Sequence, residues 1–159
     1  MPDPDDLKFL RQAIRLGHKY SHSRVGGPFG AIVRHDGRII GRGWNKVTSS
    51  FDPTAHAEMV AIRAACRASR AFHLAGAQLY TSCEPCPMCL AAAYWARLDR
   101  IVYAATRKDA AAIGFDDDRL YKELALPHAK RRIPTKQLLR RESLLVMRQW
   151  HAMPGKVVY

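Results

Sequence analysis

His56-Ala57-Glu58 and Pro85-Cys86-Pro87-Met88-Cys89 are the two stretches that decide how this chain is read. His56, Cys86 and Cys89 are three ligands of the kinds that bind zinc, and three protein ligands leave its fourth position open. An open position admits water, whose pKa zinc lowers to about 7. Glu58, two residues beyond the histidine, is placed to move protons rather than to hold metal. Pro87 suits the first position of a helix, and both stretches read as helix starts. Free N–H groups there offset the charge of two thiolates and a hydroxide. The 30 positions from His56 to Cys86 accommodate a helix, a return loop and a strand. The ligands therefore come from two helices that share one sheet edge.

A closed zinc site that only holds the fold is the competing interpretation. It needs a fourth protein ligand, and Cys83 is the candidate, because Cys83, Cys86 and Cys89 are evenly spaced. Against it, Cys83 falls at a strand end before the helix, whereas Cys86 and Cys89 share the first helical turn. A closed site also leaves Glu58 without a task.

Outward from these stretches the chain alternates strands and helices. Leu7, Leu10, Ile14 and Gly17 follow helical spacing, with Asp5 or Asp6 near the favourable N-terminal end. Ala31-Ile32-Val33 and Arg38-Ile39-Ile40 flank His35-Asp36-Gly37, and Asp-Gly between β-branched runs signals a hairpin. A Ser- and Thr-rich loop spans Asn45 to Pro53. A helix from about Thr54 to Arg70 carries Ala57, Ala61, Ala64, Ala65 and Ala68, small enough to approach a sheet closely. Gln78 to Thr81 and Arg100 to Ala104 read as strands, with a helix from Pro87 to Trp95 between them. Gly114 to Asp118 reads as a loop and Ser143 to Trp150 as a helix. This is the pattern of a layered α/β domain, and the hairpin makes its sheet mixed.

Composition narrows the class further. A chain of 159 residues is the length of one domain with a full core. No run approaches the roughly 18 apolar residues of a membrane span, and the acidic Met1 to Asp6 lacks the apolar centre of a secretory signal. A cytoplasmic protein is expected. The four cysteines agree, two being claimed by zinc and Cys66 standing alone, so no disulfide framework is expected. The net charge of +12 would suit a nucleic-acid partner. Much of that excess sits in Lys130, Arg131, Arg132, Lys136, Arg140, Arg141 and Arg148, where a solvated basic face or a subunit contact also explains it.

The H-x-E and P-C-x-x-C spacing is that of zinc nucleobase deaminases. The chain resembles the cytidine deaminase superfamily, and within it the bacterial guanine deaminases. The resemblance runs over nearly the whole length, through Gly26-Gly27-Pro28-Phe29-Gly30-Ala31, Asp52 to Glu58, Thr81 to Cys89, Tyr94-Trp95-Ala96, Gly114-Phe115-Asp116-Asp117 and the terminal Tyr159. The zinc stretches are superfamily-wide; Gly-Phe-Asp-Asp and the last tyrosine are more selective. The resemblance implies a three-layer α/β/α sandwich around a mixed sheet of about five strands. Residues 1–159 would form a single deaminase domain holding one Zn2+ per subunit, and the segment of about 128–159 would be exchanged in a homodimer. It implies conversion of guanine and water to xanthine and ammonia by attack at C2. Asn45 and Asp117 would bind the guanine ring, Phe29 and Trp95 would shape the pocket, and Tyr159 would close it from its own or the partner subunit. The Ala57 N–H would hold the incoming oxygen by oxyanion-hole logic.

Each assignment has a plainer alternative. Asn45 could serve a turn beside Gly43. The three aspartates 116–118 could be a solvated loop with one capping a helix. Phe29 and Trp95 could be core aromatics, and a terminal tyrosine is commonly frayed. Rival functions also stand. A tRNA adenosine deaminase shares the zinc stretches and would use the positive charge, but a lid over the pocket would exclude a base still joined to its strand. Deaminases of cytosine, guanosine or related rings remain open. An idle zinc-binding module that contacts nucleic acid would have no use for Glu58.

Overall fold

The computed structural model describes residues 4–159. They fall into two compact units, one ending at Tyr121 and the other running Lys122–Tyr159. The first unit contains a sheet in the order β2-β1-β3-β4, built from β1 (Gly30–His35), β2 (Arg38–Trp44), β3 (Gln78–Cys83) and β4 (Arg100–Ala105). β1 pairs antiparallel with β2 and β3, while β3 and β4 run parallel, so the sheet is mixed as expected. Four strands are seen among the described residues where about five were expected.

Strand alternation sorts the core onto two faces. Ala31, Val33 and Leu79 point to one face, where α3 (Ala57–Ser69) and α4 (Pro87–Trp95) lie. Ile32 and Tyr80 point to the other, where they meet Phe9 and Ala13 of α1 (Pro4–His22). Helices on both faces make three layers. The hairpin turns at Asp36 and Gly37, with φ of 47° and 73°, as a type I′ turn requires.

The buried stripe of α1 differs from the expected one. Phe9, Ala13 and Gly17 are buried, whereas Leu7 and Ile14 are exposed. Backbone proximity decides this. A Cβ on Gly30 would lie 2.2 Å from the Ala13 carbonyl oxygen, and one on Gly17 would lie 2.7 Å from that of Pro28. Small residues at Ala13 and Gly17 let this face of α1 lie that close to β1, with Phe9 packing on Tyr80 beyond them. Asp6 ties the same helix to the sheet through Tyr80 Oη (2.9 Å) and Arg100 Nη2 (2.5 Å).

The opposite face positions the site. Ala57, Ala61 and Ala65 are fully buried against β2. A Cβ on Gly43 would lie 2.0 Å from the Ala57 carbonyl oxygen, and one on Gly41 would lie 2.3 Å from that of Ala61. The alanines of α3 thus lie flush on the glycines of β2, which brings the first turn of α3 beside Asn45, the residue after β2. Between them the expected loop contains one helical turn, α2 (Val47–Ser50).

Beyond β4 come α5 (Arg107–Ala112), capped by Thr106 and Asp109, and α6 (Asp117–Leu124). The second unit holds a 3-10 turn (His128–Lys130) and α7 (Arg140–Ala152), which covers the expected helix and begins three residues earlier. Arg131 donates to the carbonyls of Leu124 and Leu126 at 3.1 and 3.0 Å. Leu145, Val146, Met147 and Trp150 are exposed along α7. No helix among the described residues is long and apolar enough to cross a membrane.

Candidate active site

His56 is the N-cap of α3 and Cys86 the N-cap of α4, with Pro87 opening the helix. Each cap residue is extended while the next residue is helical, so the two side chains leave their helix starts toward a common point. Cys89 is one turn into α4. The three ligand atoms lie within 4.8 Å of one another, with His56 Nδ1 to Cys86 Sγ at 3.5 Å and Cys86 Sγ to Cys89 Sγ at 3.6 Å. A tetrahedral ion at usual Zn–S and Zn–N lengths separates two sulfurs by about 3.8 Å and a sulfur from a nitrogen by about 3.6 Å. Two of the three spacings therefore match a tetrahedral metal, and the donor set of one histidine and two cysteines suits zinc. Cys83 stands outside this group and donates to the Thr106 carbonyl at 3.5 Å, so the fourth position receives no cysteine. None of the four cysteines is in a disulfide.

The protonation of the cluster also favours a cation. The Cys89 thiol donates to Cys86 and, against the cost of burial and with help from His56, brings Cys86 down to about 4. The hydrogen bond to Cys86 raises Cys89, and burial adds to it. One thiolate and one thiol thus share a proton that a metal ion can replace. His56 is raised, first by its hydrogen bond to Cys86. Burial pushes the Cys83 thiol up to about 12, aided by the charges of Asp117 and Glu58, so it stays neutral.

Glu58 occupies the second position of α3 and is 6% exposed. Its Oε1 accepts from Thr81 Oγ1 at 3.1 Å, and its Oε2 lies 3.5 Å from Cys89 Sγ. Burial raises its pKa above the ordinary carboxylate range, and the Cys86 thiolate adds to the effect. A carboxyl raised in this way holds a proton more readily than an exposed one, which suits a group that accepts a proton and later returns it.

A cavity of about 260 Å³ opens over this cluster, lined by Gly27, Phe29, Asn45, His56, Ala57, Glu58, Phe115 and Asp117 among others. Asn45 is 6% exposed, and its Oδ1 accepts from the N–H groups of Gly27 and Val47, both at 3.2 Å. Those two bonds assign the amide: oxygen toward the backbone, NH2 toward the cavity. The residue serves the turn and lines the cavity at once, and it offers the cavity a donor alone. Asp117 begins α6, and burial raises its pKa, followed by the Cys86 charge. Asp118, its neighbour, turns instead to Arg107 Nε at 3.4 Å.

Arg107 connects the two sides of the site. Its N–H and Nη1 reach Glu84 at 3.0 and 3.2 Å, and its guanidinium lies 4.6 Å from the Tyr121 ring centroid. Tyr121 Oη donates to the Pro85 carbonyl at 2.8 Å. The loop that delivers Cys86 and the helix that delivers Asp117 are thereby held together.

Phe29 lines the cavity and meets Phe115 edge to face at 4.7 Å. Phe115 was legible only as part of Gly-Phe-Asp-Asp; its contact with Phe29 has no local signal. Trp95 does not line the cavity among the described residues and is 61% exposed. It ends α4, about 13 Å along the axis from Cys86 at 1.5 Å per residue, so the helix carries it away from the ligands. Tyr159 ends the second unit and is exposed. Thr81 and Glu84 were not singled out from sequence, because their roles depend on partners 23 positions away.

Comparison with known proteins agrees with this geometry. Residues 3–105 match the cytidine and deoxycytidylate deaminase zinc-binding region. The chain is 48% identical to the guanine deaminase of Bacillus subtilis over 151 residues, which are 95% of this chain and 97% of that one. The crystal structure of that protein superposes with a TM-score of 0.92 over 96% of this chain and 97% of its own. The guanine deaminase of Nitrosomonas europaea is 28% identical, with a TM-score of 0.66 over 96% of this chain and 87% of that one. The tRNA-specific adenosine deaminase of Aquifex aeolicus is 40% identical over 100 residues, or 63% of this chain and 66% of that one. The chain belongs to the cytidine and deoxycytidylate deaminase zinc-binding family.

Proposed function

We propose that this chain hydrolyses guanine to xanthine and ammonia, with one zinc ion per subunit held by His56, Cys86 and Cys89. The observation that carries the proposal is the match of both sequence and structure to a guanine deaminase along nearly the full length of each chain. The tRNA deaminase of Aquifex aeolicus matches over 100 residues only. Zinc in this site would act as a Lewis acid and lower the pKa of a water to about 7.

The protein's own groups do the rest. Glu58 takes a proton from the attacking water and delivers it to a ring nitrogen; it then takes the remaining proton from the new hydroxyl at C2 and gives it to the departing amine, which leaves C2 as a carbonyl. The bond from C2 to oxygen forms, the bond from C2 to nitrogen breaks, and ammonia leaves. Asp117 accepts from the ring N1–H and the amine. Asn45 donates its NH2 to an acceptor on the ring. Phe29 and Phe115 present apolar surface to the base, and the Ala57 N–H, free at the start of α3, donates to the new oxygen at C2. Matched donors and acceptors reject other bases, since each buried group left unpaired costs about 1–3 kcal/mol.

The chain acts in the cytoplasm as a homodimer in which the C-terminal segment is exchanged and Tyr159 closes the pocket. Guanine is a free base, so nucleic acid is not a partner despite the charge of +12. The test is ammonia release by zinc-loaded protein from guanine, adenine, cytosine, guanosine and a tRNA anticodon stem-loop. Conversion of guanine alone supports the proposal. Inosine formation in the stem-loop without turnover of guanine overturns it.

A further inference from the structure

Thr81 sits where the fold asks for an apolar residue. It pairs with Ala31 across β1 and β3 and shares their core face with Leu79. It is fully buried. A hydroxyl there needs a partner, because an unpaired one is costly in an apolar layer. Its partner is Glu58 Oε1, at 3.1 Å. The other carboxylate oxygen, Oε2, faces Cys89 Sγ at 3.5 Å and so lies on the ligand side.

We infer that Thr81 is a positioning residue of the reaction, holding one oxygen of Glu58 so that the other is the one that carries protons. This rests on the reading of Glu58 as the proton carrier. The Thr81 hydroxyl sits one rotatable bond from a central strand, as a serine hydroxyl would, whereas the glutamate carboxylate sits at the end of a side chain with three rotatable bonds. Thr81 supplies the rigidity that Glu58 lacks. Its hydroxyl both donates and accepts, so the bond survives when Glu58 changes from carboxylate to carboxylic acid. Serine keeps the hydroxyl; valine keeps the shape and removes it.

The experiment compares Thr81→Val, Thr81→Ser and Glu58→Gln with wild type, each loaded with zinc and assayed on whichever ring the wild type deaminates. Zinc content, melting temperature and a crystal structure accompany the kinetics. In Thr81→Val we expect kcat to fall on the order of 10–100-fold, as misplacement of a reacting group does. KM and one bound zinc should be retained, and the Glu58 carboxylate should be rotated or doubled in the crystal. Thr81→Ser should recover kcat to within about threefold of wild type. Wild-type kcat in Thr81→Val, or failure of Thr81→Ser to rescue, overturns the inference. Loss of zinc or of folding in Thr81→Val makes Thr81 a structural residue and also overturns it. Full turnover by Glu58→Gln would instead remove Glu58 from the mechanism, a separate failure.

Discussion

The side-chain amide of Asn45 has one end committed to the protein and one end left for the ligand, so two substitutions should separate folding from recognition. Its Oδ1 accepts from the Gly27 and Val47 N–H groups, both at 3.2 Å, at a site only 6% exposed. Asn45→Ala removes that acceptor and leaves two part-buried donors without it. At up to about 1 kcal/mol each, the loss is about 1–2 kcal/mol, a fall in Tm of roughly 2–8 °C for a chain of this length. Asn45→Asp keeps an oxygen for both N–H groups but turns the cavity-facing donor into an acceptor. Its Tm should stay above that of Asn45→Ala. Its kcat/KM for guanine should fall roughly 5–150-fold, the equivalent of about 1–3 kcal/mol for one unpaired buried acceptor. The assay is guanine-to-xanthine absorbance change beside calorimetric melting. Near-normal kcat/KM in Asn45→Asp, or melting as low as that of Asn45→Ala, would refute the amide orientation and the role built on it.

Arg107→Met should cut the link between the Cys86 loop and α6. The lost contacts are partly exposed and worth about 1–2 kcal/mol, so KM for guanine should rise roughly 5–30-fold, and an unchanged KM would show that Asp117 holds its place without Arg107. Deleting Tyr159 should raise KM or lower kcat, and unchanged kinetics would remove the residue from the mechanism. Asp6 gives a pH dependence. Burial raises its pKa, but hydrogen bonds from Arg100 and Tyr80 and the charges of Arg100 and Arg34 together hold it below the usual range. Its contribution is therefore fully present above the unfolded carboxylate value of about 3.9 and is lost as pH falls through the lower folded value. Melting curves across pH 2–7 should show this acid loss in wild type and a weaker one in Asp6→Asn; identical acid slopes would contradict the assignment.

The clustering of the candidate ligands and of the proposed acid/base residue was legible because their geometry is local. His56 and Cys86 each cap a helix, and Glu58 and Cys89 lie within one turn of those caps. The hairpin was legible because Asp36-Gly37 supplies the positive φ that its turn needs. The polarity of Asn45 was not, because it depends on the amide of Gly27, 18 positions away. Thr81 was hidden for the same reason: an isolated strand does not say which helix residue will face its hydroxyl. Asp117 looked like loop because Gly114 and three consecutive aspartates are turn residues, yet it opens α6. The stripe of α1 was legible at Leu10 and Gly17 but not at Leu7 and Ile14, because the close approach of backbones at Gly17 and Gly30 turns Phe9, Ala13 and Gly17 toward the sheet.

The central claim is that Glu58 moves protons at a site held by His56, Cys86 and Cys89. Its most direct test is Glu58→Gln assayed for xanthine formation and zinc content beside wild type. Glutamine keeps the shape and an acceptor for Thr81 but cannot take a proton. The account predicts one zinc per subunit in both proteins and a turnover lowered at least about 100-fold in the variant. Near-normal turnover with zinc retained would contradict it.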